Sequence, residues 1–148
     1  MKPSVFRFKD PVLTNILYEL NDQFNSEAPE PEEISTATSV SVGKLESENN
    51  TAVVSLKIDL PAEKKNDFPF FLSATMSAQF NWDDELDKDV VQSLLTKNAP
   101  ALLLGYLRPW IAQVTEAGPT HHAIHIPFMD FTQEVTKQDE KNSLSTGE

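Results

Sequence analysis

The feature that most constrains the fold of this chain is a strict alternation over residues 68–82. Every even position is apolar, from Phe68 through Met76 to Trp82, while most odd positions are small or polar. Successive side chains of a β-strand point to opposite faces. The stretch therefore predicts one long antiparallel strand with a buried face and a hydrated face.

Two earlier segments show the same period of two, over residues 34–45 and residues 51–60. In the second segment Lys57 and Asp59 fall on the polar face. The apolar face of that segment comprises Ala52, Val54, Leu56, Ile58 and Leu60. Turn-forming residues at 48–50 and 63–67 separate the three segments, which predicts a three-stranded meander.

Two helices are expected after the meander. Acidic residues at 83–89 open a short helix, where they favour the positive end of its dipole, and Val90, Val91, Leu94 and Leu95 give it an apolar side. Asn98 as N-cap and Pro100 in the first turn begin the main helix, and Gly118 ends it.

The main helix has an apolar stripe and an interior proline. The stripe is expected to comprise Leu103, Leu107, Trp110, Ile111 and Val114. Pro109 crowds the carbonyl four residues earlier, which belongs to Gly105, so we expect a kink in one helix rather than two helices.

The segments around this framework are less definite. Residues 12–24 fit either a helix face or a strand. Residues 26–33 form an acidic, proline-broken linker, and the polar tail at 132–148 is predicted to be disordered. We therefore expect one domain over residues 1–131, followed by the tail.

Composition excludes several classes of protein. At 148 residues with a net charge of −11, the chain would repel nucleic acid. It has no cysteine, which fits a reducing compartment. The N-terminal residues lack the apolar core of a signal peptide, and the apolar run at 99–107 is too short for insertion into a membrane. A cytoplasmic protein is expected.

Residue patterns for catalysis or metal binding are weak. On an extended chain His121 and His125 would lie about 13 Å apart, too far to share one ion. The acidic run at 83–89 lacks the glycine and the closing glutamate of a calcium loop. No nucleophile or phosphate-loop motif occurs, so we expect no enzyme activity, no metal and no cofactor.

The apolar residues at 124–131 leave two interpretations open. Ile124, Ile126, Phe128, Met129 and Phe131 either fold onto the helix to complete the core or line a groove for apolar peptide segments. A small-molecule-binding α+β domain and a purely structural oligomer are the alternatives from other classes.

The element order and one set of residues resemble the SecB family of export chaperones over residues 6–131. The residues that carry the resemblance are Asn98, Pro100, Tyr106, Arg108, Gly118 and Pro127. It implies an α+β fold, a four-stranded antiparallel sheet with a long helix on one face, assembled as a homotetrameric dimer of dimers. The implied function is ATP-independent holding of non-native polypeptides or preproteins in a translocation-competent state.

The resemblance also implies the residues that bind the client polypeptide. These are Val40, Val42, Leu107, Ile111, Val114, Ile124, Ile126, Phe128 and Phe131. SecA is the implied partner for export, although residues 72–75 lack the glutamate that helps the family dock it. Because some SecB-like proteins serve dedicated clients, a chaperone of an antitoxin is the alternative.

Overall fold

The computed structural model describes residues 4–25, 27, 34–44, 49–64, 67–119 and 122–131. The four strands are β1 (Phe6–Leu20), β2 (Ala37–Lys44), β3 (Thr51–Leu60) and β4 (Phe70–Trp82). They are followed by α1 (Lys88–Ser93), a π-helical turn (Leu94–Asn98) and α2 (Ala99–Glu116). Most of the expected linker at 26–33, His121 and the tail at 132–148 lie outside the described residues.

The strands form one antiparallel sheet in the order β1-β4-β3-β2. The meander predicted from the three alternating segments is confirmed as β2-β3-β4, and β1 pairs with the free side of β4. With α2 packed on one face, the sheet confirms the predicted α+β architecture.

The core lies between α2 and the even-numbered face of β3 and β4. Every apolar residue of that face from Ala52 to Leu60 and from Phe70 to Phe80 is at most 4% exposed. The helix contributes Leu103, Leu104, Leu107 and Ile111, each at most 1% exposed. The opposite face is mostly polar and half-buried, and there Ser55 Oγ and Ser77 Oγ lie 2.6 Å apart across the two strands. The predicted division into a buried and a hydrated face is confirmed.

Strand β1 is an irregular edge strand. Its register with β4 shifts between Lys9 and Val12 and again between Leu13 and Asn15. Asp10 has a φ of 38°, in the left-handed region that Asp tolerates better than most side chains, and Pro11 follows it at the sheet edge. These shifts break the period of two, which explains why the sequence of residues 12–24 fitted both a helix and a strand. The structure resolves that ambiguity in favour of a strand as far as Leu20, and residues 21–24 form a turn beyond its end.

The predicted N-cap at Asn98 is wrong. Asn98 has helical angles (φ −77°, ψ −42°) and its side chain makes no cap hydrogen bond. The N–H of Ala99 donates instead to the carbonyl of Leu94 through the π-helical turn, so no side-chain cap is needed there. Burial of Leu95 and Ala99 holds this turn against the sheet. The helix then runs through Pro109 without a break, as expected for one helix.

The end of α2 packs closely against β1. The helix ends at Glu116 with Ala117 as its C-cap, and the N–H of Gly118 donates to the carbonyl of Thr115 over 3.1 Å. A Cβ at Gly118 would lie 2.1 Å from the Tyr18 hydroxyl oxygen. That hydroxyl is buried and has no hydrogen-bond partner among the residues described, and burial raises the pKa of Tyr18. Gly118 is therefore required by the proximity of Tyr18, not by a left-handed conformation.

Candidate functional site

Residues 122–131, here called the return loop, run back along α2. The N–H of Ile124 donates to Thr115 Oγ1 over 2.8 Å, and Arg108 Nε donates to the carbonyl of Ile126 over 2.5 Å. Thr115 is fully buried, and its hydroxyl donates to the carbonyl of Ile111 over 2.7 Å while accepting from the loop. Two side chains of α2 thus fix the path of the loop.

The return loop both fills the core and displays an aromatic ring. Ile126 and Phe131 are 1% and 3% exposed, whereas Phe128 is 80% exposed. The central guanidinium carbon of Arg108 lies 4.5 Å from the centroid of the Phe128 ring, a cation–π distance. The Arg108 guanidinium therefore packs against one face of the Phe128 ring, and most of the side chain is exposed to solvent.

The nine residues predicted to bind a client differ in solvent exposure. Four are in the core of the chain and offer no surface to a ligand: Leu107, Ile111, Ile126 and Phe131. All four belong to the hydrophobic cluster formed by the sheet, α2 and the return loop. Five keep accessible surface: Val40, Val42, Val114 and Ile124, which are half-buried, and Phe128, which is exposed. We call Val40, Val42, Ile124 and Phe128 the loop-flank surface. Val114 is four residues from Trp110 and therefore lies on the side of α2 that carries Trp110, away from Arg108.

A second apolar surface was missed from the sequence. It comprises Phe8, Ile16, Leu20, Tyr106 and Trp110, each between 36% and 54% exposed, and is called the β1-flank surface. Phe8, Ile16 and Leu20 pair with core-face residues of β4, so they lie on the helix side of the sheet. The rings of Phe8 and Tyr106 meet edge to face, with centroids 6.2 Å apart.

Trp110 is an exposed member of the predicted apolar stripe of the main helix. Trp110 was assigned to the apolar stripe together with Leu103, Leu107 and Ile111, but unlike those three, which are buried, it is 46% exposed. The signal that could have identified this surface is the spacing of Tyr106 and Trp110, since residues four apart share one side of a helix.

The two surfaces lie on opposite flanks of α2. Arg108 is two residues from both Tyr106 and Trp110, which corresponds to about 200° of rotation around the helix axis. The exposed side of α2 between them presents Ala101, Gly105, Pro109 and Gln113. Arg108 and Glu116 are the charged residues of α2, although 24% of the whole chain is charged. Glu116 lies on the same side, in the last turn, so this side is uncharged over residues 101–113. An exposed helix face without charge over three turns is typical of a surface that contacts other protein.

Little in the described part of the chain suits a small ligand. No group of three His, Asp or Glu side chains there could hold a metal ion. On the outer sheet face, Leu17, Pro61 and Phe71 help to line a cavity of about 220 Å³, below the roughly 300–1,000 Å³ of typical small-molecule sites. None of the described helices is long and apolar enough to cross a membrane.

Comparison with known proteins identifies the fold. No family model matches the sequence, and no curated protein matches it. Among solved structures, the chain is similar to a SecB-like chaperone of Mycobacterium tuberculosis in complex with a ChAD peptide from the HigA1 antitoxin. The TM-score is 0.61 and the sequence identity is 11%, and the match covers 84% of this chain and 88% of that one. It is also similar to a protein of unknown function from Streptococcus agalactiae, with a TM-score of 0.47 and 14% identity over 83% of this chain and 97% of that one. The resemblance expected from the sequence is confirmed for the fold, which is that of the SecB-like chaperones.

Proposed function

We propose that this protein is an ATP-independent chaperone that binds non-native polypeptide segments through apolar surface. The observation that carries the proposal is that large apolar side chains remain exposed on both flanks of α2 although the core is filled. Phe128 is 80% exposed, and Tyr106 and Trp110 are nearly half exposed. The SecB-like fold supports the same function.

The loop-flank surface is the proposed site for the client. Contacts with Phe128 and Ile124 would remove apolar area from water, which contributes about 25 cal/mol per Å² before the cost of ordering the client is subtracted. Several shallow contacts of this kind select for apolar character, not for one sequence. Release then needs no nucleotide, because the client leaves when it folds or is taken over by a partner.

The β1-flank surface and the uncharged side of α2 are the proposed contacts between copies of the chain. A homotetramer arranged as a dimer of dimers, with α2 between two sheets, would cover both. Gly105 supports this arrangement because a Cβ there would meet nothing of its own chain within 4 Å. Glycine inside a helix costs about 1 kcal/mol relative to alanine, so close approach of another chain explains its presence better than internal packing.

We propose two forms of the chaperone function, which differ in the client. The general form holds preproteins in a translocation-competent state in the cytoplasm and passes them to SecA. The dedicated form serves an antitoxin, and the structural neighbour with an antitoxin peptide favours it. In both forms the net charge of −11 favours client segments in which apolar residues are flanked by basic ones.

Aggregation of chemically unfolded citrate synthase, followed by light scattering, tests the general form. We expect near-stoichiometric chaperone to suppress the scattering, and Phe128→Ser to reduce that protection severalfold because it removes the most exposed apolar side chain of the loop flank. Leu17→Ser is the matched control, since Leu17 is 55% exposed but lies on the opposite face of the sheet.

Three outcomes separate the possibilities. Equal loss of protection in the Phe128 and Leu17 variants would contradict the assignment of the loop flank. Absence of protection by the unaltered chain, with tight binding of an antitoxin peptide, would support the dedicated form. Absence of both would contradict a chaperone function altogether.

A further inference from the structure

Among the basic side chains in the described part of the chain, Arg108 alone is half-buried, and the others are exposed. The sequence contains 23 acidic and 12 basic residues, yet Arg108 forms no ion pair with any residue that the structure describes. Its contacts are instead with the return loop, through the hydrogen bond from Nε to the Ile126 carbonyl and the packing of the guanidinium against Phe128. Both described contacts of the half-buried guanidinium are therefore with the return loop.

The shape of the guanidinium explains why both contacts form at once. The group is planar, so its edge donates to a carbonyl while its face packs on an aromatic ring. Ile126 and Phe128 are separated only by Pro127, whose ring restricts the backbone between the two contacts. A lysine ammonium has no flat face and cannot reproduce this pair of contacts.

The loop is fixed on both sides of this contact. On the N-terminal side, the buried Thr115 hydroxyl accepts the N–H of Ile124. Ile126 and Phe131 are inserted into the core on either side of Phe128. The backbone that carries Phe128 is thus held at several points, and only its ring extends into solvent.

We propose that Arg108 is a positioning residue that holds Phe128 in its client-binding orientation before a client arrives. The proposal rests on the proposed chaperone function and adds how the loop-flank surface is prepared for binding. A binding surface that is already ordered loses less entropy when the client binds. If removal of Arg108 lowers the oriented fraction of the loop to about one tenth, the apparent affinity falls about tenfold.

The test measures binding of reduced, carboxamidomethylated ribonuclease A, a permanently unfolded and basic polypeptide, to the full chain. We expect Arg108→Ala and Arg108→Lys to weaken binding by about five- to tenfold. Lys97→Ala is the matched control, because it removes an exposed positive charge from the neighbouring helical turn. Phe128→Ala should weaken binding, and adding Arg108→Ala to it should have little further effect, since Arg108 acts through Phe128.

Hydrogen exchange of the return loop supplies a readout that is independent of the client. In Arg108→Ala the amides of residues 122–131 should exchange faster, while those of β3 and β4 stay protected. Unchanged exchange, or additive effects of the Arg108 and Phe128 substitutions, would overturn the positioning role. If the unaltered chain fails to bind the unfolded ribonuclease, the chaperone proposal fails instead, and the exchange measurement still decides whether Arg108 orders the loop.

Discussion

At the scale of single residues, the contact between Gly118 and Tyr18 fixes how α2 meets the edge strand. A methyl group at Gly118 would lie 2.1 Å from the Tyr18 hydroxyl oxygen and 3.1 Å from the adjoining ring carbon. We expect Gly118→Ala to lower the free energy of unfolding by about 1–3 kcal/mol, the usual cost of overpacking. Urea unfolding followed by circular dichroism measures the change.

A second substitution isolates the cause. Tyr18→Phe removes the buried hydroxyl that has no described hydrogen-bond partner, so it should be neutral or slightly stabilising. In that background the contact at 2.1 Å is gone and the new methyl group meets only the ring carbon and the Thr115 carbonyl, at 3.1 and 3.2 Å, so Gly118→Ala should cost clearly less. An equal cost in both backgrounds would show that the helix end, not the Tyr18 hydroxyl, requires glycine.

At the scale of elements, substitution of Gly105 tests whether the exposed side of α2 contacts another copy of the chain. In the Trp110→Ser background, in which the proposed tetramer should not form, Gly105→Ala should stabilise the chain by up to about 1 kcal/mol, since alanine is the better helix former and the site is open. In the chain with Trp110 intact, the same methyl group should weaken assembly, because it would push the α2 helices of neighbouring copies apart. Thermal unfolding measures the first effect and light scattering after size exclusion the second. Destabilisation of the monomer would instead indicate that Pro109 needs a flexible carbonyl at Gly105.

The elements also show which parts of the fold the sequence could predict. The alternation in β3 and β4 predicted their buried faces because both strands are regular and covered on one side by α2. In β1 the register shifts near Asp10 and Asn15 interrupt the alternation, so the sequence does not show which residues of this strand face the core. The Asn98 cap was wrong because the local Asn-x-Pro pattern cannot reveal a preceding helical turn that is held in place by Leu95.

The sequence could not predict which apolar residues of the return loop are exposed, because that depends on their contacts with α2. Ile124, Ile126 and Phe128 alternate in sequence, and an extended chain would give them one common side. The contact with Arg108 breaks that rule by holding Phe128 outward while Ile126 enters the core. Periodicity identifies an apolar segment, but it cannot distinguish its buried members from its exposed ones.

At the scale of the whole molecule, the net charge opposes the assembly that the apolar surfaces favour. Each chain carries −11, so four chains of 16.6 kDa would form a particle of about 66 kDa with a charge of −44. Raising the ionic strength from about 0.01 M to about 1 M shortens the screening length from about 30 Å to about 3 Å. Repulsion between copies should then fall, while contacts through Phe8, Tyr106 and Trp110 persist.

We therefore expect the weight-average mass at fixed protein concentration to rise towards about 66 kDa as salt is added. Multi-angle light scattering after size exclusion measures it. Trp110→Ser should keep the mass near that of one or two chains at every salt concentration, because it removes an aromatic contact from the centre of the proposed interface. Leu17→Ser, on the outer face of the sheet, should behave like the unaltered chain. A mass that falls as salt is added would mean that ion pairs hold the copies together, and the uncharged side of α2 would then not be the interface.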